Sequence, residues 1–205
     1  MQDRTPLVLD AAAVARLLPR LDVLGAMRTL FSALGQGQAV QPPQTLALLP
    51  GGRGDFIVYP GATTDPPVIG VKVSPYVVTP GRPVITAWTL LLSAETGAPL
   101  LLCDAGRLTT ERTAATTALA ADLLARPGAG RLAIIGAGPV ALAHLRHVEG
   151  LRDWRDIRVY SPGLAAGDDS RRAAWRATPR LRFADSARAC VEGADVVMLA
   201  TSSGV

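Results

Sequence analysis

Lysine is almost missing from this chain: of its 21 basic residues, 20 are arginine and one, Lys72, is lysine. Arginine has replaced lysine wherever positive charge alone is needed, so the survivor marks a place where guanidinium does not serve. A compact ammonium that can lose its proton when buried is the property arginine lacks. Cysteine is also scarce. Cys103 and Cys190 stand far apart without metal-ligand spacing, which excludes a disulfide framework and a zinc site and reads as two buried thiols in a reducing compartment. Aromatic residues make up 4% and no dense basic patch accompanies them, so nucleic acid is not expected as a partner. No apolar run approaches the ~20 residues that span a bilayer. The opening Met1-Gln2-Asp3-Arg4-Thr5-Pro6 lacks the apolar stretch of a signal peptide. No membrane association and a cytoplasmic location are therefore expected.

What is present is a packed-core composition, 49% hydrophobic and 19% charged, over 205 residues. The rhythm changes along the chain. Residues 11–18 and 22–34 read as helices separated by Pro19, with Asp22 as the N-cap of the second and Gly35 as its stop. From about 43 to 103, short apolar runs alternate with Pro/Gly turns: Thr45–Leu49, Phe56–Tyr59, Val68–Val73, Val84–Leu92 and Leu100–Cys103. These read as mainly antiparallel strands, with Thr96-Gly97 as a hairpin turn. A long helix is expected over Leu108–Ala125, capped by Thr109 or Thr110 and favoured by Glu111 at its positive end. Beyond Arg126-Pro127-Gly128 the pattern turns to strand–helix–strand. Strands are expected at Leu132–Ile135, Ile157–Tyr160, Leu181–Phe183 and Val196–Ala200. Helices are expected near 139–149, 170–176 and 186–192. Such alternation predicts a parallel sheet. The fold class is α/β: an N-terminal α+β domain with mainly antiparallel strands over 1–127, then an incomplete Rossmann-type parallel sheet over 128–205.

The sharpest motif follows the first of these strands. Leu132-Ala133-Ile134-Ile135-Gly136-Ala137-Gly138-Pro139-Val140-Ala141 has the form G-x-G-x-x-A. The first glycine permits a tight turn, the second lets backbone approach a pyrophosphate, and the small third residue lets helix pack on strand. A helix N-terminus then offers free N–H groups to phosphate. Candidate dinucleotide contacts are Gly136, Ala137, Gly138, Pro139 and Val140, with Ser161, Ala200 and Thr201 at the ends of the second and fourth strands. The second strand ends in Ser161-Pro162-Gly163 rather than the acidic residue that reads NAD ribose or an arginine that reads the NADP phosphate. The choice between NAD and NADP stays open. His144 and His147 stand three apart on the following helix; without an accompanying Cys or carboxylate cluster they read as a solvated face rather than a metal site.

In order and spacing, several segments together resemble the ornithine cyclodeaminase/μ-crystallin family. They are Gly37…Pro42-Pro43-Gln44, Asp55-Phe56-Ile57-Val58-Tyr59-Pro60, Gly70-Val71-Lys72-Val73, Ala94-Glu95-Thr96-Gly97-Ala98-Pro99-Leu100, Leu108-Thr109-Thr110-Glu111-Arg112-Thr113-Ala114-Ala115, Ile135-Gly136-Ala137-Gly138 and Gly193-Ala194-Asp195-Val196-Val197. The resemblance implies a homodimeric NAD(P) protein whose N-terminal domain makes substrate contacts and the dimer interface. Members deaminate and cyclise basic amino acids, reduce cyclic ketimines or oxidise amino acids, all by hydride transfer at a carbon bearing nitrogen. A small amino-acid or cyclic-imine substrate is the implied partner. Lys72 matches the family's substrate-site lysine, which meets the substrate carboxylate or helps activate water. Arg112 matches an arginine that binds an anion of substrate or cofactor. Gln44 stands where the family usually has a carboxylate-binding arginine, Tyr59 where methionine is common, and the loop Pro75–Pro83 is short. These departures point away from an ornithine-like substrate.

Two further readings compete. One is a non-catalytic or degenerate dinucleotide-binding member of the same lineage, favoured by Gln44 and the short C-terminal part. The other is an unrelated Rossmann dehydrogenase, which the strand-rich N-terminal half argues against. Only four parallel strands precede Ser202-Ser203-Gly204-Val205, against six in a full doubly wound sheet. The chain as written therefore reads as a truncated member, expected not to turn over substrate alone.

Overall fold

The computed structural model describes residues 5–167, 172–175, 178 and 180–201. The chain divides into two compact units, residues 1–109 and 110–205. In the first, strand β1 (Leu7–Leu9) leads to helices α1 (Ala11–Leu17) and α2 (Val23–Gly35). Their starts follow from local chemistry: the Asp10 carboxylate accepts the Ala13 N–H at 2.7 Å, and that of Asp22 accepts the Gly25 N–H at 2.8 Å. Then come β2 (Ala39–Val40), β3 (Thr45–Leu48), β4 (Gly54–Thr64), β5 (Pro67–Val77), β6 (Val84–Ile85), β7 (Trp88–Ser93) and β8 (Pro99–Asp104). They form one eight-stranded sheet in the order β1-β8-β7-β5-β4-β2, with β3 paired to β4 and β6 to β5. Every pairing except β1 with β8 is antiparallel, as the alternating runs imply.

The expected single strand Val84–Leu92 is two strands in one register. Tyr76 pairs with Ile85 and Val73 with Trp88, which leaves Pro75 opposite Thr86. A proline has no N–H to donate, so the ladder breaks there although Thr86 still donates to the Pro75 carbonyl at 3.3 Å.

In the second unit, β9 (Arg131–Ile135), α4 (Pro139–Val148), β10 (Asp156–Tyr160), α5 (Pro162–Ala165), β11 (Leu181–Phe183), α6 (Ala187–Val191) and β12 (Val196–Leu199) alternate. The sheet order is β11-β10-β9-β12, all parallel. Leu132, Ala133 and Ile134 on the central strand are fully buried, the continuous apolar run that a strand covered on both faces requires. Burying the Leu and Ile side chains contributes about 1.5–3 kcal/mol each. Of the helix expected at 170–176, residues 170, 171 and 176 lie outside the described residues.

The long helix α3 (Gly106–Leu124) starts earlier than its threonines suggest. Asp104 rather than Thr109 or Thr110 serves its start, accepting the Gly106 N–H at 3.0 Å. The division between the units falls after Thr109, not at 127 and 128, and the contacts of α3 give the reason. Glu111 pairs with Arg146 and, at 2.8 Å, with His147 on α4. Arg152 donates to the carbonyls of Ala121 and Asp122. Most of α3 is thereby bound to the parallel-sheet unit.

Asp195, just before β12, accepts the N–H groups of Gly130 at 2.9 Å and Arg131 at 3.0 Å and pairs with Arg126. Those backbone donors hold its carboxyl below the usual range. The Gly-Ala-Asp segment thus fixes the start of β12 against the start of β9.

The two histidines of α4 do not form a solvated face. His144 is 2% exposed, and neither ring nitrogen has a hydrogen-bond partner among the described residues. Its neighbours on the helix, Ala141, Ala143, Leu145 and Val148, are buried with it. Burial pushes the His144 pKa below its ordinary value, and His147 pushes in the same direction. The unfolded chain therefore binds a proton before the folded one does. Stability is expected to be full above about pH 6.5 and to fall as the pH drops below it, by at most about 1.4 kcal/mol per pH unit for this one group. Urea unfolding from pH 8 to 5 measures this. His144→Leu should flatten the slope; an unchanged slope would remove His144 as its source.

Candidate functional site

The carboxyl ends of β9, β10 and β12 enclose a cleft of about 770 Å³. Its wall begins with Gly136, whose N–H donates to the Tyr160 carbonyl at 2.8 Å and continues the β9–β10 ladder one residue further. Gly136 has φ +121°, and a Cβ built on it would stand 2.2 Å from the Ala200 carbonyl oxygen. Only glycine allows the two backbone segments to meet there. Gly138 is different: a Cβ on it meets nothing within 4 Å, because the position faces the open cleft. It is the N-cap of α4 and supplies no side-chain cap, and Pro139 takes the first helical position. The first-turn N–H groups of α4 are left for an external acceptor. Open space before Gly138 and an uncapped helix start fit a pyrophosphate, the group that the G-x-G-x-x-A spacing anticipates.

All eight residues expected to hold a dinucleotide by motif or strand end, Gly136, Ala137, Gly138, Pro139, Val140, Ser161, Ala200 and Thr201, line this cleft. Pro162 and Leu199 line it too. Their place next to the ends of β10 and β12 was the available signal for them. Arg112 does not join this group. It is exposed on α3 and is not among the cleft's lining residues.

The first unit holds the other candidates. Strand register places Tyr59, Lys72, Thr89 and Cys103 in one row across β4, β5, β7 and β8, so their side chains share a face of the sheet. The Lys72 ammonium lies 4.1 Å from the centroid of the Tyr59 ring and 3.5 Å from the Thr109 hydroxyl. A cation over a ring face is attracted by its quadrupole, by about 0.5–1 kcal/mol or more where water is excluded. Lys72 is half-buried and Gln44 exposed. Gln44 directly precedes Thr45, which pairs with Val58, so it adjoins the same row beyond Tyr59. The pairing of Lys72 with Tyr59 and Thr109 depends on strand register and on the start of α3, neither of which the motif itself contains. Cys103, buried at the other end of the row, has its thiol pushed up by burial. Cys190, also buried, is raised for the same reason. Both thiols are free. Among the described residues no group of His, Cys, Asp and Glu is arranged to hold a metal ion.

The family model described as "Ornithine cyclodeaminase/mu-crystallin family" matches residues 4–205. Among curated proteins, the NAD(P)H-dependent anabolic L-arginine dehydrogenase of Pseudomonas aeruginosa is 55% identical over 204 residues, which cover 99% of this chain and 64% of that protein. The ornithine cyclodeaminase of Agrobacterium fabrum is 35% identical over 122 residues, 60% of this chain and 34% of the other. Among solved structures, that of Thermococcus litoralis Δ1-pyrroline-2-carboxylate reductase in complex with NADH and L-proline matches with a TM-score of 0.79 at 27% identity, covering 96% of this chain and 62% of that one. The chain thus spans a little under two thirds of the length of the first relative and of this structural neighbour.

The two glycines separate fold from site. Gly136→Ala is expected to destabilise the second unit by at least about 2 kcal/mol through strain and the clash with Ala200. Gly138→Ala, with an ordinary φ of −80°, should stay within about 0.5 kcal/mol of the parent. Thermal unfolding of both variants checks this; equal melting temperatures would contradict the close approach at Gly136.

Proposed function

The chain belongs to the ornithine cyclodeaminase/mu-crystallin family, and from that premise we propose that it serves NAD(P)-dependent redox chemistry on an amino acid or its imine. The observation that carries this reading is the cleft at Gly136–Val140, open before Gly138 and bounded by the ends of three parallel strands. A nicotinamide cofactor bound there supplies or accepts a hydride at the carbon bearing nitrogen. Gly138 and the first turn of α4 would hold its pyrophosphate, and Ser161 would stand at the strand end where the adenosine ribose belongs.

In the first unit, Lys72 meets the substrate carboxylate as an ammonium. The Tyr59 ring face and the Thr109 hydroxyl hold it in place. Gln44 adds a hydrogen bond without charge. The relative of 55% identity is named for L-arginine, which favours a basic amino acid and its imine as the substrate class. Arg112 serves as a further anion contact by resemblance to the family.

The test uses the protein with NADPH or NADH, followed by absorbance at the nicotinamide band, with imines formed from 2-oxo acids and ammonia. Calorimetric titration accompanies it. Gly138→Asp should lower nucleotide affinity at least a hundredfold, since its carboxylate occupies the phosphate's approach. Lys72→Arg keeps the charge but puts a bulkier planar guanidinium where a compact ammonium sits between the Tyr59 ring and the Thr109 hydroxyl, and should lower kcat/KM at least a hundredfold at unchanged melting temperature. Normal turnover of the Lys72 variant refutes its role, and unchanged nucleotide affinity of the Gly138 variant refutes the cleft. Tight nucleotide binding without turnover of any amino acid or imine favours the non-catalytic alternative.

We also propose a homodimer through the first unit's sheet. The face opposite Lys72 carries the row Val8, Leu102, Leu90, Val71 and Pro60. Val8 is 61% exposed and Trp88, on the same face, 41%. An apolar sheet face left in water is the kind of surface a second copy covers. Light scattering at micromolar concentration should give twice the chain mass, and Leu102→Arg should shift it to the monomer. A monomeric parent protein contradicts the assignment.

A further inference from the structure

We propose that Asp55 reads the far end of the substrate's side chain and selects an amino acid with a cation at arginine length over its neutral analogues. The inference deepens the reading of Lys72 as the contact for the substrate carboxylate and rests on it. β4 and β5 pair without interruption from Gly54 with Val77 to Thr64 with Pro67. Residues two and four positions before Tyr59 therefore return to the face that carries Lys72. On that face the row of Tyr59 and Lys72 is followed by Leu46, Ile57 and Ser74, and then by Leu48, Asp55, Tyr76 and Ile85. Asp55 is the one carboxylate in these rows.

Four residues of extended strand carry the chain from Asp55 to Tyr59, about 13 Å. A charge-assisted hydrogen bond of about 2.8 Å at each end leaves about 7 Å for a ligand lying along the strand. An extended arginine whose carboxylate meets Lys72 places its guanidinium at that distance, while alanine ends far short of it. Ile57, between the two charged rows, offers an apolar side chain to the ligand's methylenes. The far row suits a guanidinium in its chemistry as well. Asp55 is half-buried, and among the described residues no cation pairs with its carboxylate. A carboxylate drawn partly out of water gains from a charged partner, and the planar fork of a guanidinium meets both of its oxygens at once. Tyr76 stands directly across the ladder from Asp55 and is 38% exposed. It brings to the carboxylate's side an aromatic ring on which a planar cation can stack. Leu48 and Ile85, which end the row, are both exposed, so this part of the face is open in the first unit.

The experiment is calorimetric titration of the protein with L-arginine and with L-citrulline, its neutral isostere. NADPH or NADH is present, so that a bound amino acid is not oxidised. The parent is expected to bind arginine at least tenfold more tightly than citrulline. Asp55→Asn keeps the size and removes the charge, and should bring the two affinities within threefold of each other. Lys72→Met should weaken both ligands by similar factors, because they share the carboxylate. A parent that binds the two ligands alike overturns the inference, and so does an Asp55→Asn variant that keeps the parent's ratio. In either case a loss of both ligands in Lys72→Met leaves the reading of Lys72 standing. If Asp55→Asn does not fold, Asp55→Ser is measured in its place against the same ratio. Binding of neither ligand by the parent overturns the reading of Lys72 and the inference with it.

Discussion

Two backbone segments in the second unit approach more closely than any side chain permits. The Cα of Gly136 faces the carbonyl of Ala200 at a distance that leaves no room for a Cβ, and the Gly136 N–H is spent on Tyr160. One glycine thereby joins the ends of three strands, β10, β9 and β12. The cleft exists because of that junction. Its floor is the loop that Gly136 turns, its sides are Ser161 and Ala200, and its opening lies before Gly138. Asp195 does at the amino ends of β9 and β12 what Gly136 does at the carboxyl ends. The four-stranded sheet is fixed at both ends by backbone polar groups and in the middle by Leu132 and Ile134.

Most of the architecture was legible in the sequence because its signals are local. The apolar run before Gly136, the small residue five positions on and the alternating rhythm that follows give strand, helix and parallel order without tertiary information. The same holds for the helix start at Asp22. What was not legible depends on partners far along the chain. β1, three residues long, exists only because β8 offers it an edge nearly a hundred positions away. The start of α3 looked like a threonine cap, but Asp104 was nearer the turn and took the amide. Its allegiance to the second unit rests on Glu111 and Arg152, whose partners no local pattern reveals. His144 read as part of a solvated face because no Cys or carboxylate cluster accompanies it and His147. The neighbouring small and apolar residues Ala141, Leu145 and Val148 were the better guide to its burial.

The candidate sites divide in the same way. The glycine motif named its own residues, and the structure brings them together with Ser161, Ala200 and Thr201. Lys72 was singled out by the scarcity of its kind and by its match to the family's substrate-site lysine. Its surroundings, a tyrosine ring on the neighbouring strand and a threonine hydroxyl from the helix start, required the register of β4 and β5 and the position of α3. Arg112 has a clear place in the motif and stands exposed on α3, apart from the cleft's lining.

The junction of Gly136 with Ala200 also has a consequence for how the molecule comes into being. The central strand β9 pairs with a strand that lies more than sixty residues later. Contacts of such separation form late, because the intervening loop must close before they repay its entropy. A chain emerging from synthesis therefore carries the glycine loop well before it carries the wall that completes the cleft. A nucleotide bound in the cleft as proposed would meet its full wall only once β12 docks, and would then stabilise that docking by mass action.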